Sequence, residues 1–184
     1  IETTLPTFQI LTAYGLFYVI SNFKFQISNF KLKPFFIGLL IFAILFNISY
    51  FYHNYFRHYP QEFSSEWQYG YKETVGFTSA NESKFDNVIF TEELGRPYTY
   101  VLFYKQYDPK RFREEAKIER EVLGFVHVRS FGKYKFVKSV LDNIDKKKNN
   151  LYVDSPGNVP RDAKILKTFR LLNSDPSLVA YSYE

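Results

Sequence analysis

Residues 3–23 carry no charge and include Phe8, Ile10, Leu11, Leu16, Phe17, Val19 and Ile20. A second uncharged run, residues 34–52, reads Pro34 through Phe35, Phe36, Leu39, Leu40, Ile41, Phe42, Leu45 and Phe46 to Tyr52. As a helix it covers roughly 28 Å, close to the thickness of a bilayer's hydrocarbon core. Pro34 suits a first helical turn. Tyr50, Phe51, Tyr52, Tyr55 and Phe56 form an aromatic belt of the kind found where a helix leaves a membrane. The pattern therefore predicts two transmembrane helices within residues 1–56. A buried core helix is the competing reading for the second run. An interfacial or re-entrant helix competes for the first, which Pro6, Gln9 and Thr12 dilute. The stretch between them holds Lys24, Lys31 and Lys33 and no acid, which assigns it to the cytoplasm and both outer ends to the other side.

From Arg57 onward the alternation becomes that of a water-soluble domain. Ser65 with Gln68 three residues later resembles a capping box, and Phe63, Trp67, Tyr71 and Val75 share one face of the helix it would open. On that spacing Trp67, Tyr71 and Val75 form a seam against a sheet, although an interfacial anchor or a sugar-stacking platform competes for Trp67. Residues 85–91, with Val88-Ile89-Phe90, read as a strand buried on both faces; a turn at Gly95 and a helix opened by Pro97 follow. Asp108-Pro109 caps a charged helix through Arg113, Glu114, Glu115 and Lys117. Residues 125–129 and 131–137 read as strands around Gly132, and residues 151–153 as a strand ending at the turn Ser155-Pro156-Gly157-Asn158. A closing hairpin has its turn at Asn173-Ser174-Asp175-Pro176. The expected architecture is a membrane stem of two transmembrane helices, residues 1–56, followed by a mixed α/β extracytoplasmic domain, residues 57–184.

Charge sharpens that division. Three of 24 basic residues and one of 19 acids precede Arg57, which leaves 21 against 18, a net charge of +3, for the polar part. So mixed a surface lacks the concentrated basic patch of a nucleic-acid binder, and no nucleic-acid partner is expected. The absence of cysteine excludes disulfide scaffolds, zinc-thiolate sites and thiol nucleophiles. There is no methionine either, so the chain reads as an internal or C-terminal piece of a longer protein.

Candidate chemistry is sparse. His53, His58 and His127 are dispersed, and no HExxH, phosphate-loop, GxSxG or EF-hand pattern occurs. No catalytic, cofactor-binding or metal-binding residue is assigned, the cofactor stays unknown, and the chain alone is expected to be inactive. Arg57 and His58, with Tyr52 and Tyr55, are candidates for meeting a lipid phosphate or headgroup; simple anchoring of the helix end in the interface is the competing reading. Glu92 and Glu93 follow a strand, where many α/β proteins place functional groups, or else lie on a solvated loop. His127 reads as a strand surface residue. Lys146-Lys147-Lys148 reads as a solvated loop or a contact with anionic lipid, and Asn81-Glu82-Ser83 is a glycosylation sequon.

Tyr55-Phe56-Arg57-His58-Tyr59-Pro60 followed by Trp67-Gln68-Tyr69-Gly70-Tyr71-Lys72-Glu73 resembles the end of the last transmembrane helix in prokaryotic multi-pass GT-C glycosyltransferases of the dolichyl-phosphate-mannose protein mannosyltransferase-like family. There a YFxxYP exit precedes a WxxGxxE helix and an extracytoplasmic α/β domain. Asp86-Asn87-Val88-Ile89-Phe90-Thr91 and Pro97-Tyr98-Thr99-Tyr100-Val101-Leu102-Phe103-Tyr104 fit the continuation, and residues 34–109 carry the likeness best. Leu5-Pro6 at the head of a hydrophobic helix is similar to the penultimate membrane segment. The resemblance implies a cell-membrane glycosyltransferase that takes sugar from a polyprenyl-phosphate donor to a protein, lipid or glycan, with the bilayer as partner. It also implies a catalytic acid in a first outer loop that matches no position in this chain. The alternative is a membrane-anchored extracytoplasmic binding or assembly module without enzymatic activity.

Overall fold

The computed structural model describes residues 5–22, 33–120, 124 and 126–183, in two compact units, Ile1–Tyr52 and His53–Glu184. The first holds helix α1 (Leu5–Asn22) and nearly all of α2 (Lys33–His53). Here the expectation of two transmembrane helices is corrected. Among the described residues one helical segment, Gly38–Glu62, is long and apolar enough to cross a membrane. α1 (18 residues) is less apolar than α2, since Pro6, Gln9 and Thr12 lower its hydropathy; the Thr12 hydroxyl bonds back to the Phe8 carbonyl at 2.8 Å. The architecture is thus a mixed α/β domain accompanied by one candidate span. The connection bearing Lys24 and Lys31 lies outside the described residues, as does Phe125.

α2 is apolar on all sides. Leu39, Leu40, Ile41, Phe42, Leu45 and Phe46 are each more than half exposed, and none of the spanning window is buried. In a water-soluble helix such residues would be confined to one face.

After α2 the backbone widens into a π-helical turn, Asn54–His58, before the short helix α3 (Tyr59–Glu62). Proline explains the widening. Pro60 has no N–H, and in a regular α-helix its ring would press on the carbonyl four residues back, that of Phe56. The extra residue in the turn shifts the register, and the Tyr59 N–H bonds instead to the Asn54 carbonyl.

The α/β domain is built on a seven-stranded sheet. Its strands are β1 (Asn87–Thr91), β2 (Lys117–Arg120), β3 (Val126–Phe131), β4 (Tyr134–Val137), β5 (Asn150–Asp154), β6 (Lys164–Arg170) and β7 (Pro176–Ser182). The order is β2-β3-β4-β1-β5-β7-β6. β1 lies in the middle, parallel to both β4 and β5, and the two outer pairs on each side are antiparallel. A central parallel strand is covered on both faces, and Val88, Ile89 and Phe90 are at most 4 % exposed.

Among the described residues the α-helices of the domain pack on one face. Tyr71 and Val75 of α4 (Tyr71–Asn81) and Val101 of α5 (Pro97–Lys105) pack with Val88, Phe90, Phe136, Leu151 and Val153. Tyr71 and Tyr100 stack with ring centres 4.4 Å apart, joining the two helices. The other face gathers Ile89, Val140, Tyr152 and Tyr181 under loop residues such as Ile144 and Val159. Asp108 caps α6 (Pro109–Glu115) as its sequence predicts, accepting from the Lys110 and Arg111 amides.

Two local expectations fail for identifiable reasons. Residues 63–70 form turns and not a helix, because Gln68 and Gly70 adopt φ of 53° and 110°. α4 therefore starts only at Tyr71. A Cβ on Gly70 would come 3.1 Å from the Ser177 hydroxyl oxygen, so both the conformation and the close approach call for glycine. The turn leaves Trp67 outside at 68 % exposure while Tyr71 and Val75 are buried, so the predicted Trp67 seam does not form. Lys117, expected in the charged helix, instead opens the edge strand β2, which is exposed throughout and fixed by pairing with β3.

Candidate functional site

The segment that leaves the apolar helix builds an aromatic ladder. Tyr55 stacks on Tyr59 at 5.9 Å and Tyr59 on Phe63 at 4.7 Å. The Trp67 indole N–H donates to the Tyr59 hydroxyl at 3.3 Å. Tyr55, Tyr59 and Trp67, with Pro60, Tyr69 and Leu172, line an open cleft of about 250 Å³. Rings exposed on one side and hydrogen-bonded on the other suit a boundary between apolar and wet surroundings. Of the residues singled out from sequence, Tyr55, Arg57 and His58 are exposed in this segment, and Tyr52 is 54 % exposed on α2.

The π-helical turn adds a contact that spacing alone does not suggest. His53 and His58 are five apart, about 140° around a regular α-helix, yet their Nε2 atoms lie 3.2 Å apart. Beside His58, Asn54, Tyr59 and Glu62 line a hollow of about 240 Å³.

A second candidate region lies beyond the carboxyl ends of β1 and β4, where open α/β sheets commonly hold ligands. Glu92, Glu93, Gly95, Arg96, His127 and Lys138 line a crevice of about 410 Å³. Arg129 donates to Glu92 at 3.0 Å and to Glu119 at 2.7 Å, which ties Glu92 to two strands. On the far side of β1, Asn158 donates to both Glu93 at 2.9 Å and Asp154 at 3.4 Å. Asp154 is 1 % exposed. Burial pushes its carboxyl above the ordinary range, and the neighbouring Glu93 carboxylate adds to this against the Ser155 amide, Asn158 and Thr91. Ser155 Oγ and the Tyr181 hydroxyl, both buried, find no hydrogen-bond partner among the described residues. Glu92 and Glu93 thus stand at a strand-end crevice, Glu92 half-buried and held by Arg129, Glu93 exposed on the turn after β1 and accepting from Asn158. Sequence reasoning missed Asp154, Asn158, Arg129 and Lys138 here. The available signal was the acid closing each buried apolar strand, Asp154 after Tyr152-Val153 as Glu92 after Ile89-Phe90-Thr91.

At the opposite, amino end of the parallel strands Glu82, Lys105 and Tyr134 satisfy one another. Glu82 accepts from Lys105 and, at 2.6 Å, from the Tyr134 hydroxyl. Burial acts to raise the Glu82 carboxyl, but these two donors and the Lys105 and Lys133 charges hold it below the usual range. The Tyr107 hydroxyl donates to Glu115 at 2.7 Å; burial and that carboxylate push Tyr107 up to about 12.

The remaining sequence candidates have structural partners. Asn81 of the sequon donates through its side-chain amide to the Phe77 carbonyl at 2.9 Å and accepts from Lys84. Lys146 pairs with Asp162, and Lys148 with Asp145 at 3.5 Å. No family model, no curated protein and no solved structure matches this chain.

Proposed function

We propose that this chain is part of an integral-membrane glycosyltransferase that takes sugar from a polyprenyl-phosphate carrier to a protein, lipid or glycan. The α/β domain binds or positions a ligand outside the cytoplasm, on a single span. The supporting observation is the course of the chain from the apolar segment Gly38–Glu62 into the aromatic ladder and the left-handed turn at Gly70. The residues that carry the family resemblance hold structural roles at that passage. Tyr55, Tyr59 and Pro60 shape the helix exit, Trp67 is presented on the cleft, Gly70 makes the turn, and Glu73 sits in the first turn of α4. In the implied reaction an acceptor hydroxyl attacks the anomeric carbon as polyprenyl phosphate leaves, and a carboxylate takes the hydroxyl proton. No residue of this chain is assigned to that step.

The second reading, an anchored binding or assembly module without its own chemistry, is favoured by the strand-end crevice, where Glu92 and Glu93, held by Arg129 and Asn158, stand with Arg96 and Lys138 and suit recognition of a polar ligand. Membranes from cells expressing the whole gene, or the gene lacking residues 57–184, separate the two. Transfer of radiolabelled sugar from a polyprenyl-phosphate donor, lost or reduced on deletion, supports the transferase. Absence of transfer with every such donor, from protein shown to be folded and in the membrane, favours the module.

A further inference from the structure

We propose that His53 and His58 form a binding site for a borderline divalent metal ion such as zinc, created by the π-helical turn at the end of the apolar helix. The chain has three histidines and no cysteine. Two of its three strongest nitrogen or sulfur ligands are therefore brought into contact at one place, by a backbone irregularity of a kind that recurs at functional sites.

The geometry fits a metal. With zinc–nitrogen distances of about 2.0–2.1 Å, nitrogens 3.2 Å apart subtend about 99–106° at the ion, near the tetrahedral angle that zinc prefers. Ring placement agrees. If the ring nitrogen lies about 1.1 Å from the ring centre, two imidazoles aimed at a common zinc have centres about 4.9 Å apart, against about 5.4 Å for a straight N–H···N hydrogen bond. The observed centre-to-centre distance is 5.0 Å. Both side chains are exposed near the carboxyl end of the apolar segment, where an ion can enter from the aqueous side and water can fill its remaining positions. Among the described residues no third histidine, aspartate or glutamate joins the pair, which makes this an open site with two protein ligands. Glu62, lining the hollow beside His58, supplies a carboxylate whose charge favours a cation there.

Titrating the full chain in detergent with Zn²⁺, and separately with Co²⁺ followed by its visible spectrum, tests the assignment. One ion per chain is expected, with a tetrahedral cobalt spectrum reversed by chelator. His53→Ala and His58→Ala should each weaken binding at least about tenfold, since even outer-shell changes at metal sites cost 10–100-fold. Glu62→Gln should have a smaller effect, and His127→Ala none. The proposal is overturned if Zn²⁺ does not bind, or if it binds equally well to His53→Ala, His58→Ala or both. Circular dichroism of each variant checks that the fold is intact, which the exposure of both rings leads us to expect.

Discussion

The apolar helix and the α/β domain use the same residue types in opposite ways. In the domain Val88, Phe90, Phe136 and Leu151 are at most 1 % exposed, whereas Leu39, Ile41, Phe42 and Phe46 on the helix are all more than half exposed. The domain is stabilised by removing apolar surface from water within its own fold. None of the spanning window of the helix is buried, and an apolar surface of that kind suits a bilayer. The contrast teaches that one chain contains two solutions to the same hydrophobic problem, and it supports reading Gly38–Glu62 as a bilayer span.

The largest expected effect lies in the sheet. Phe136→Ala should cost the domain about 3–5 kcal/mol, measured by denaturant unfolding of the full chain in detergent. Phe42→Ala on the helix should leave that transition within about 0.5 kcal/mol of the parent. Equal losses for the two would erase the distinction. Next in size, Leu45→Arg should add about 3–4 kcal/mol to membrane insertion and lower the fraction that resists alkaline extraction, with domain unfolding unchanged.

Trp67 belongs to the exposed ladder and not to the core, so Trp67→Ala should shift unfolding by no more than about 0.5 kcal/mol. A loss of several kcal/mol would restore the packed seam that helical spacing suggested. The smallest effects distinguish the two ends of the sheet by pH. The Glu82 carboxyl is held low in the folded state, so its stabilisation is present above the ordinary carboxyl range and is lost as pH falls through the folded value. Asp154 is raised by burial, so its stabilisation is present below that range and is lost as pH rises through its higher folded value. Stability measured across acidic pH should therefore decline less steeply on the acid side in Glu82→Gln and less steeply towards neutrality in Asp154→Asn.

The parts of the fold legible in sequence are those in which local pattern and burial coincide. Val88-Ile89-Phe90 reads as a central strand and is one, and the hairpin around Gly132 is marked by its glycine at φ 50°. The start of α4 was hidden because Gln68, a residue with no preference for positive φ, turns left-handed there. β2 was hidden because Lys117, Ile118, Glu119 and Arg120 are all exposed, and nothing but pairing to β3 specifies a strand. Beside the crevice, Glu93, Asp154 and Asn158 meet through the parallel register of β1 and β5, which no short-range spacing encodes. α1 was overread as a span, although Pro6, Gln9 and Thr12 dilute it, because the length of the uncharged run was given more weight than its mean hydropathy.

The central claim is that Gly38–Glu62 spans the bilayer and places the α/β domain on the side opposite the lysine-bearing stretch. Because the chain has no cysteine, single introduced thiols report topology without background. Lys147→Cys in the domain should react with a membrane-impermeant maleimide on intact cells, and Ser28→Cys only after permeabilisation. Labelling of both thiols from the same side of an intact membrane would contradict the span.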